Sequence, residues 1–141
     1  MRDFLRRLLS SRRARPDSHL VGDAGEDLAC KLLRKKGYRI LGRNLELRFT
    51  EVDVLAEAVD RNTIVLVEVK TRTRREDAQD ESFVAEFAVD ENKRKLLIRA
   101  ARQLAHSNRW YNRTLRIDVI AVEYSKDAEK CIVRHREDVV K

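Results

Sequence analysis

Between residues 24 and 33 apolar side chains recur every three or four positions. Ala24, Leu28, Ala29, Leu32 and Leu33 fall on one arc at about 100° per residue, which predicts an amphipathic helix. Asp23 reads as its N-cap, with Glu26 three residues on, and Gly37 as its C-terminal stop. Glu26 lies at the edge of the apolar arc and Asp27 points well away, so only the former can look along a core. The period then changes. Residues 38–49 alternate loosely and read as a strand bent or bulged at Gly42. Residues 51–59 and 63–70 are strongly apolar strands on either side of Asp60-Arg61-Asn62, an antiparallel hairpin. The polar stretch 71–82 reads as a loop. Helical spacing returns over residues 90–106, with Leu96, Leu97, Ala100, Ala101 and Leu104 as the buried stripe. Residues 115–124, apolar on both faces, form a fourth strand, and 130–135 a short fifth strand at an edge. This order predicts an α/β fold, a mixed sheet with helices packed on its faces.

Composition sharpens the picture. With 141 residues, 43% of them hydrophobic, the chain is long enough for one domain with a genuine core, expected over residues 22–141. The first 19 residues hold six arginines against Asp3 and Asp17, so residues 1–21 read as a basic, flexible arm outside the fold. The net charge of +7 points to a polyanionic partner, because a basic face gains affinity by releasing counterions from phosphates. Cys30 and Cys131 have no C-x-x-C spacing and suit reduced thiols of a cytoplasmic protein. His19, His106 and His135 form no metal-ligand pattern. No apolar run approaches the roughly 18 residues of a membrane span. The absence of a Gly-rich phosphate loop disfavours an enzyme acting on a small phosphorylated metabolite.

The hairpin carries the chemistry. Alternation places Val65, Val67 and Val69 on one face of its second strand and Ile64, Leu66, Glu68 and Lys70 on the other. In the first strand Asp53 and Leu55 share a face, and Val52, Val54 and Ala56 the opposite one. A turn centred at 60–62 pairs residues whose numbers sum to about 121–123, setting Asp53 opposite Glu68–Lys70. Two acids and a lysine thus meet at one end of an otherwise apolar hairpin. Left unpaired and partly desolvated, those acids would cost several kcal/mol by order of magnitude. Lys70 offsets one charge, and a hard divalent cation such as Mg²⁺ is the natural compensator for the rest. A cation there would activate water and stabilise charge on a phosphoryl group.

Each residue alone admits a plainer reading. Glu68-x-Lys70 also describes a solvated strand edge with a weak ion pair, and Glu26 a capping acid. Asp118 reads as a hydrogen-bonded structural acid. The combination is more specific than its parts.

The blocks "GEDLACKLLRKKGYRILGRN", "RFTEVDVLA", "VLVEVKTR" and "RIDVIAV", over about residues 22–123, resemble the YraN-like uncharacterised family, which is placed in the PD-(D/E)XK nuclease superfamily near archaeal Holliday-junction resolvases. The resemblance implies a restriction-endonuclease-like αβββαβ core and a Mg²⁺- or Mn²⁺-dependent endonuclease. By that similarity Asp53 and Glu68 would be metal ligands with the Val69 carbonyl a third, Lys70 the catalytic lysine, and Glu26 the helix acid that completes the site. Glu51 also fits the family block. Thr50 departs from it, standing where the family commonly has Gly; a β-branched residue disfavours a positive φ.

For nucleic acid, Arg72, Arg74 and Arg75 follow the catalytic strand and are placed to embrace a phosphate backbone. Lys95, Arg99 and Arg102 form a second basic stripe, which reads equally as an ordinary solvated helix face. Trp110 and Tyr111 read as packing beneath the helix end, with stacking on unpaired bases the alternative. Two functions follow: a nuclease cutting DNA, with branched or single-stranded DNA as candidate substrates, or a catalytically silent nucleic-acid-binding module of a larger DNA-processing assembly. Symmetric cutting of two strands would call for a homodimer.

Overall fold

The computed structural model describes residues 20–73, 89–125 and 130–139. Five strands form one sheet in chain order: β1 (Arg39–Glu46), β2 (Glu51–Glu57), β3 (Thr63–Thr73), β4 (Thr114–Tyr124) and β5 (Cys131–Arg136). Neighbours are antiparallel except β3 and β4, whose parallel pairing requires a crossover. Helix α2 (Glu91–Asn108) lies in that crossover, and α1 (Leu20–Lys35) precedes β1. The fold is α/β with a mixed sheet and is compatible with a restriction-endonuclease-like core.

The strand alternation sorts the sheet into two cores. Val54, Ala56, Val65, Val67, Ile120 and Val122 pack with Ala29, Cys30 and Leu33 of α1. Val52, Leu55, Ile64, Leu66 and Ile117 pack with Leu97, Ala100, Ala101 and Leu104 of α2. Each fully buried Leu contributes roughly 1.5–3 kcal/mol, so the helices are held by these faces rather than by their own propensity. Among the described residues no helix is long and apolar enough to cross a membrane.

Helix α1 begins at Leu20, so Asp23 lies inside it and is not its N-cap. Leu20 and Val21 belong to the helix rather than to the basic arm, whose residues 1–19 lie outside the described residues. An acid three residues before a second acid looks the same in a cap and in an early helical turn, which explains the misplacement. The buried face is also turned: Glu26 is buried and Ala24 exposed. Gly25 meets Thr71 of β3 so closely that a Cβ there would clash with the threonine side chain, and this approach rotates Glu26 inward. The helix stops as expected, with Gly37 at φ 92° and the Tyr38 N–H on the Leu33 carbonyl.

Helix α2 also begins as expected: the Asp90 carboxylate accepts the Lys93 N–H at 2.9 Å. Leu96 is only half-buried, and Trp110 is 4% exposed within the α2 core while Tyr111 is exposed. Strand β3 runs on through Thr73, because Arg72 and Thr73 pair with Glu123 and Tyr124. Residues 71–73, expected in a loop, are therefore strand; 74–82 lie outside the described residues. At the hairpin turn the Asp60 carboxylate accepts the N–H groups of Asn62 and Thr63 and the Thr63 hydroxyl, which lowers its pKa to about 2.

Asp118 is the structural acid that the sequence suggests. Wholly buried, it takes both guanidinium arms of Arg116 at 2.9 Å, His135 Nε2 at 2.7 Å and the Asp138 N–H at 2.9 Å. Burial pushes its pKa up, but those hydrogen bonds outweigh burial and hold it below the usual carboxylate range. Lys36 Nζ lies 2.9 Å from His135 Nδ1. An ammonium only donates, so the imidazole proton sits on Nε2, facing Asp118. The network ties the end of α1 and the C-terminal segment to the middle of the sheet.

Candidate active site

Strands β2 and β3 stop pairing where the acids begin. The last pair is Val54↔Val67, and the common sum of 121 would place Asp53 opposite Glu68. There the side chain takes over from the backbone: Asp53 Oδ2 accepts the Val69 N–H at 2.8 Å. On the other side, the pairs Leu45↔Val52 and Arg43↔Val54 flank Asn44 and Asp53, and Asn44 has φ 50°. Simple alternation fails at this point, because Val52 packs in the α2 core and Val54 in the α1 core. The expected shared face of Val52 and Val54 is thus corrected by a local irregularity that frees the Asp53 carboxylate to reach β3.

The resulting field is strongly acidic. Burial raises the Asp53 pKa to about 7; the Val69 N–H opposes this, and Glu68, Glu26 and Glu51 add to it. Glu26, projecting from α1, therefore belongs to the same field as the hairpin acids, and so does Glu51. Lys70 is half-buried on β3. Val69 is half-buried against the α1 core, with its N–H committed to Asp53.

Two cations that the sequence did not single out stand beside these acids. Lys93 Nζ lies 3.5 Å from Glu68 Oε2 and donates to Thr50 Oγ1 at 3.2 Å. Arg43 Nη2 lies 3.7 Å from Glu26 Oε2 while its Nη1 holds Asp27 at 2.6 Å. The signal for Lys93 was present, since it sits four residues before the buried Leu97 and so extends the α2 stripe toward the sheet. Thr50 is unstrained: it is absent from the residues of positive φ, and its hydroxyl serves Lys93.

Of the basic residues expected to meet phosphates, Arg72 lies 3.7 Å from the buried Glu123. Arg74 and Arg75 lie outside the described residues. Lys95, Arg99 and Arg102 are exposed on α2. Among the described residues no three His, Cys, Asp or Glu side chains converge as a closed metal cage. A hydrated Mg²⁺ or Mn²⁺ does not require one, since it keeps waters and uses one or two carboxylates. The hard oxygens of Asp53 and Glu68, in a field that raises the pKa of one of them, fit that donor set.

The elevated Asp53 pKa has a thermodynamic consequence. The folded protein holds a proton that the unfolded chain releases between pH about 4 and 7, so this residue's contribution to stability falls across that window and is flat above it. Compared with Asp53→Asn, wild type is expected to be about equally stable near pH 4. Above pH 7 it should be less stable, on the order of 2 kcal/mol after discounting for the solvent that still reaches the carboxyl. Urea unfolding of both proteins at the two pH values, without divalent cations, measures the difference.

A family model described as "Uncharacterised protein family UPF0102" matches residues 25–122. The chain is similar to proteins named "UPF0102 protein" from several bacteria. It is 36% identical to that of Pelobacter propionicus over 110 residues, covering 77% of this chain and 74% of the relative. It is 36% identical to that of Carboxydothermus hydrogenoformans over 121 residues, covering 85% and 94% respectively. The protein of Mycobacterium sp. (strain KMS) is 40% identical over 109 residues, 77% of this chain and 76% of the relative.

Proposed function

This chain belongs to the uncharacterised protein family UPF0102, and from the acids gathered where β2 and β3 separate we propose that it is a divalent-cation-dependent nuclease of PD-(D/E)XK type acting on DNA. The observation that carries this reading is Asp53, which takes the Val69 N–H just beyond the last β2–β3 pair and, buried in the field of Glu68, has its pKa raised to about 7. A fold has little reason to keep such a group unless a cation and an anion complete it.

Asp53, Glu68 and the Val69 carbonyl would hold Mg²⁺ or Mn²⁺, which when bound supplies charge to stabilise the phosphoryl group and to acidify water. The Lys70 ammonium orients the attacking water and donates to a non-bridging phosphate oxygen as negative charge builds there. Glu26 would complete the site from α1, its carboxylate receiving the proton the water loses. In the reaction the water oxygen bonds to phosphorus, the opposite P–O ester bond breaks, and the departing alkoxide takes a proton from solvent. Lys93, from α2, holds Glu68 and brings a second ammonium to the acids. We place this activity in the cytoplasm, consistent with the unpaired Cys30 and Cys131, and a homodimer suits paired cuts in a duplex.

One observation favours the silent nucleic-acid-binding alternative: Lys93 and Arg43 already neutralise part of the acidic field. The purified protein, titrated with Mn²⁺ and Mg²⁺ on branched, duplex and single-stranded DNA beside Asp53→Asn and Lys70→Ala, separates the two. Cutting by wild type alone supports the nuclease; binding by all three with no cutting supports the silent module.

A further inference from the structure

The β1–β2 connection is a four-residue turn, 47–50, closed by the Leu47 N–H on the Thr50 carbonyl at 2.9 Å. At its tip Phe49 remains 45% exposed. A lone exposed apolar residue is ordinary; the surroundings of this one are not. The Arg99 guanidinium, from the basic stripe of α2, stacks 3.9 Å from its ring centroid, and the Arg48 guanidinium lies 5.4 Å away. The next residue, Thr50, accepts Lys93 Nζ, which also reaches Glu68. The ring is therefore one residue and one lysine away from the candidate catalytic carboxylate.

We propose that Phe49, with Arg48 and Arg99 beside it, is a stacking platform for an unpaired nucleobase of a single-stranded nucleic acid that reaches the acids of β2 and β3. The inference rests on the nuclease reading and specifies its substrate as one with unpaired bases. An aromatic ring with guanidiniums beside it matches an unpaired base beside its phosphates: the exposed part of the ring offers a sequence-tolerant stacking surface and the arginines neutralise the backbone. A duplex keeps its bases stacked inside and gains only the charges. This assigns the stacking role to Phe49 and leaves Trp110, buried in the α2 core, as packing. It also gives Arg99 a function other than a plain solvated face.

The test is binding in EDTA, where cleavage does not interfere, using a fluorescein-labelled single-stranded DNA and the matching blunt duplex. Phe49 is at an exposed turn, so Phe49→Ala should fold, as unfolding curves check. Phe49→Ala is expected to weaken single-strand binding by about 5- to 100-fold while duplex binding changes less than about twofold. Phe49→Trp should retain single-strand affinity, and its added indole emission should be quenched by the single strand and not by the duplex. Unchanged single-strand affinity in Phe49→Ala, or equal loss on both DNAs, overturns the platform. Indole quenching that tracks protein concentration without DNA also overturns it, assigning the surface to self-association. If single strands bind through Phe49 and nothing is cut with Mg²⁺, the platform stands and the catalytic reading fails; if wild type cuts and Phe49→Ala binds normally, the reverse holds.

Discussion

Asp53→Asn is expected to lower Mg²⁺-dependent cleavage by about 10³-fold or more, about 4 kcal/mol of transition-state stabilisation, while DNA binding in EDTA stays within a few fold of wild type. The reason is geometric as well as electrostatic. Asn keeps a carbonyl oxygen able to accept the Val69 N–H, so the separation of β2 from β3 survives. It loses the charge that would hold a cation opposite Glu68. Above pH 7 the same substitution should stabilise the fold, because it removes a carboxylate that burial and three neighbouring glutamates disfavour. Lost activity in a more stable protein separates removal of a catalytic group from structural damage. Single-turnover cleavage, with unfolding curves measured in parallel, gives both quantities.

Asp118→Asn is expected to do the opposite: a large loss of stability, about 3–5 kcal/mol, with cleavage per folded molecule near wild type. Asp118 is wholly buried and carries the Arg116 fork, His135 and the Asp138 N–H together. Asn offers one acceptor oxygen and a misplaced NH₂ group, so half-buried Arg116 would keep only the longer ion pair to the exposed Glu137, 3.7 Å away. The loss should grow as pH rises from strongly acid values. The depressed pKa means that the native state holds the ionised form in a range where the unfolded chain begins to protonate. Urea unfolding at neutral and acid pH, with cleavage assayed at low temperature where the variant stays folded, measures both parts.

The contrast between these two acids bears on how much could be read from the chain. Both lie in apolar strands, and sequence alone separated them through context: Asp53 faces Glu-x-Lys across a short turn, whereas Asp118 has no such companion. Local pattern was sufficient for the span of α2, for the Gly37 stop and for the hairpin register, because each depends on neighbours within a few positions. Features set by distant segments were not legible. The start of α1 was hidden by Asp23 and Glu26, which imitate a capping pair, and its rotation depends on the contact between Gly25 and Thr71. The last residues of β3 look like a loop until β4 pairs with them. Arg43 and Lys93 reach the acids, and Phe49 meets Arg99, only through tertiary packing. Strict alternation misassigned Val52 because it could not foresee the positive φ of Asn44 on the neighbouring strand.

The Asp53 carboxyl itself gives the most direct measurement. Its ¹³C resonance, assigned by comparison with Asp53→Asn, should titrate with a midpoint of about 7 in metal-free protein. Millimolar Mg²⁺ should lower that midpoint by about one unit or more relative to NaCl of equal ionic strength, since a neighbouring cation favours the ionised form. A midpoint that Mg²⁺ leaves where NaCl does would contradict a cation site at Asp53.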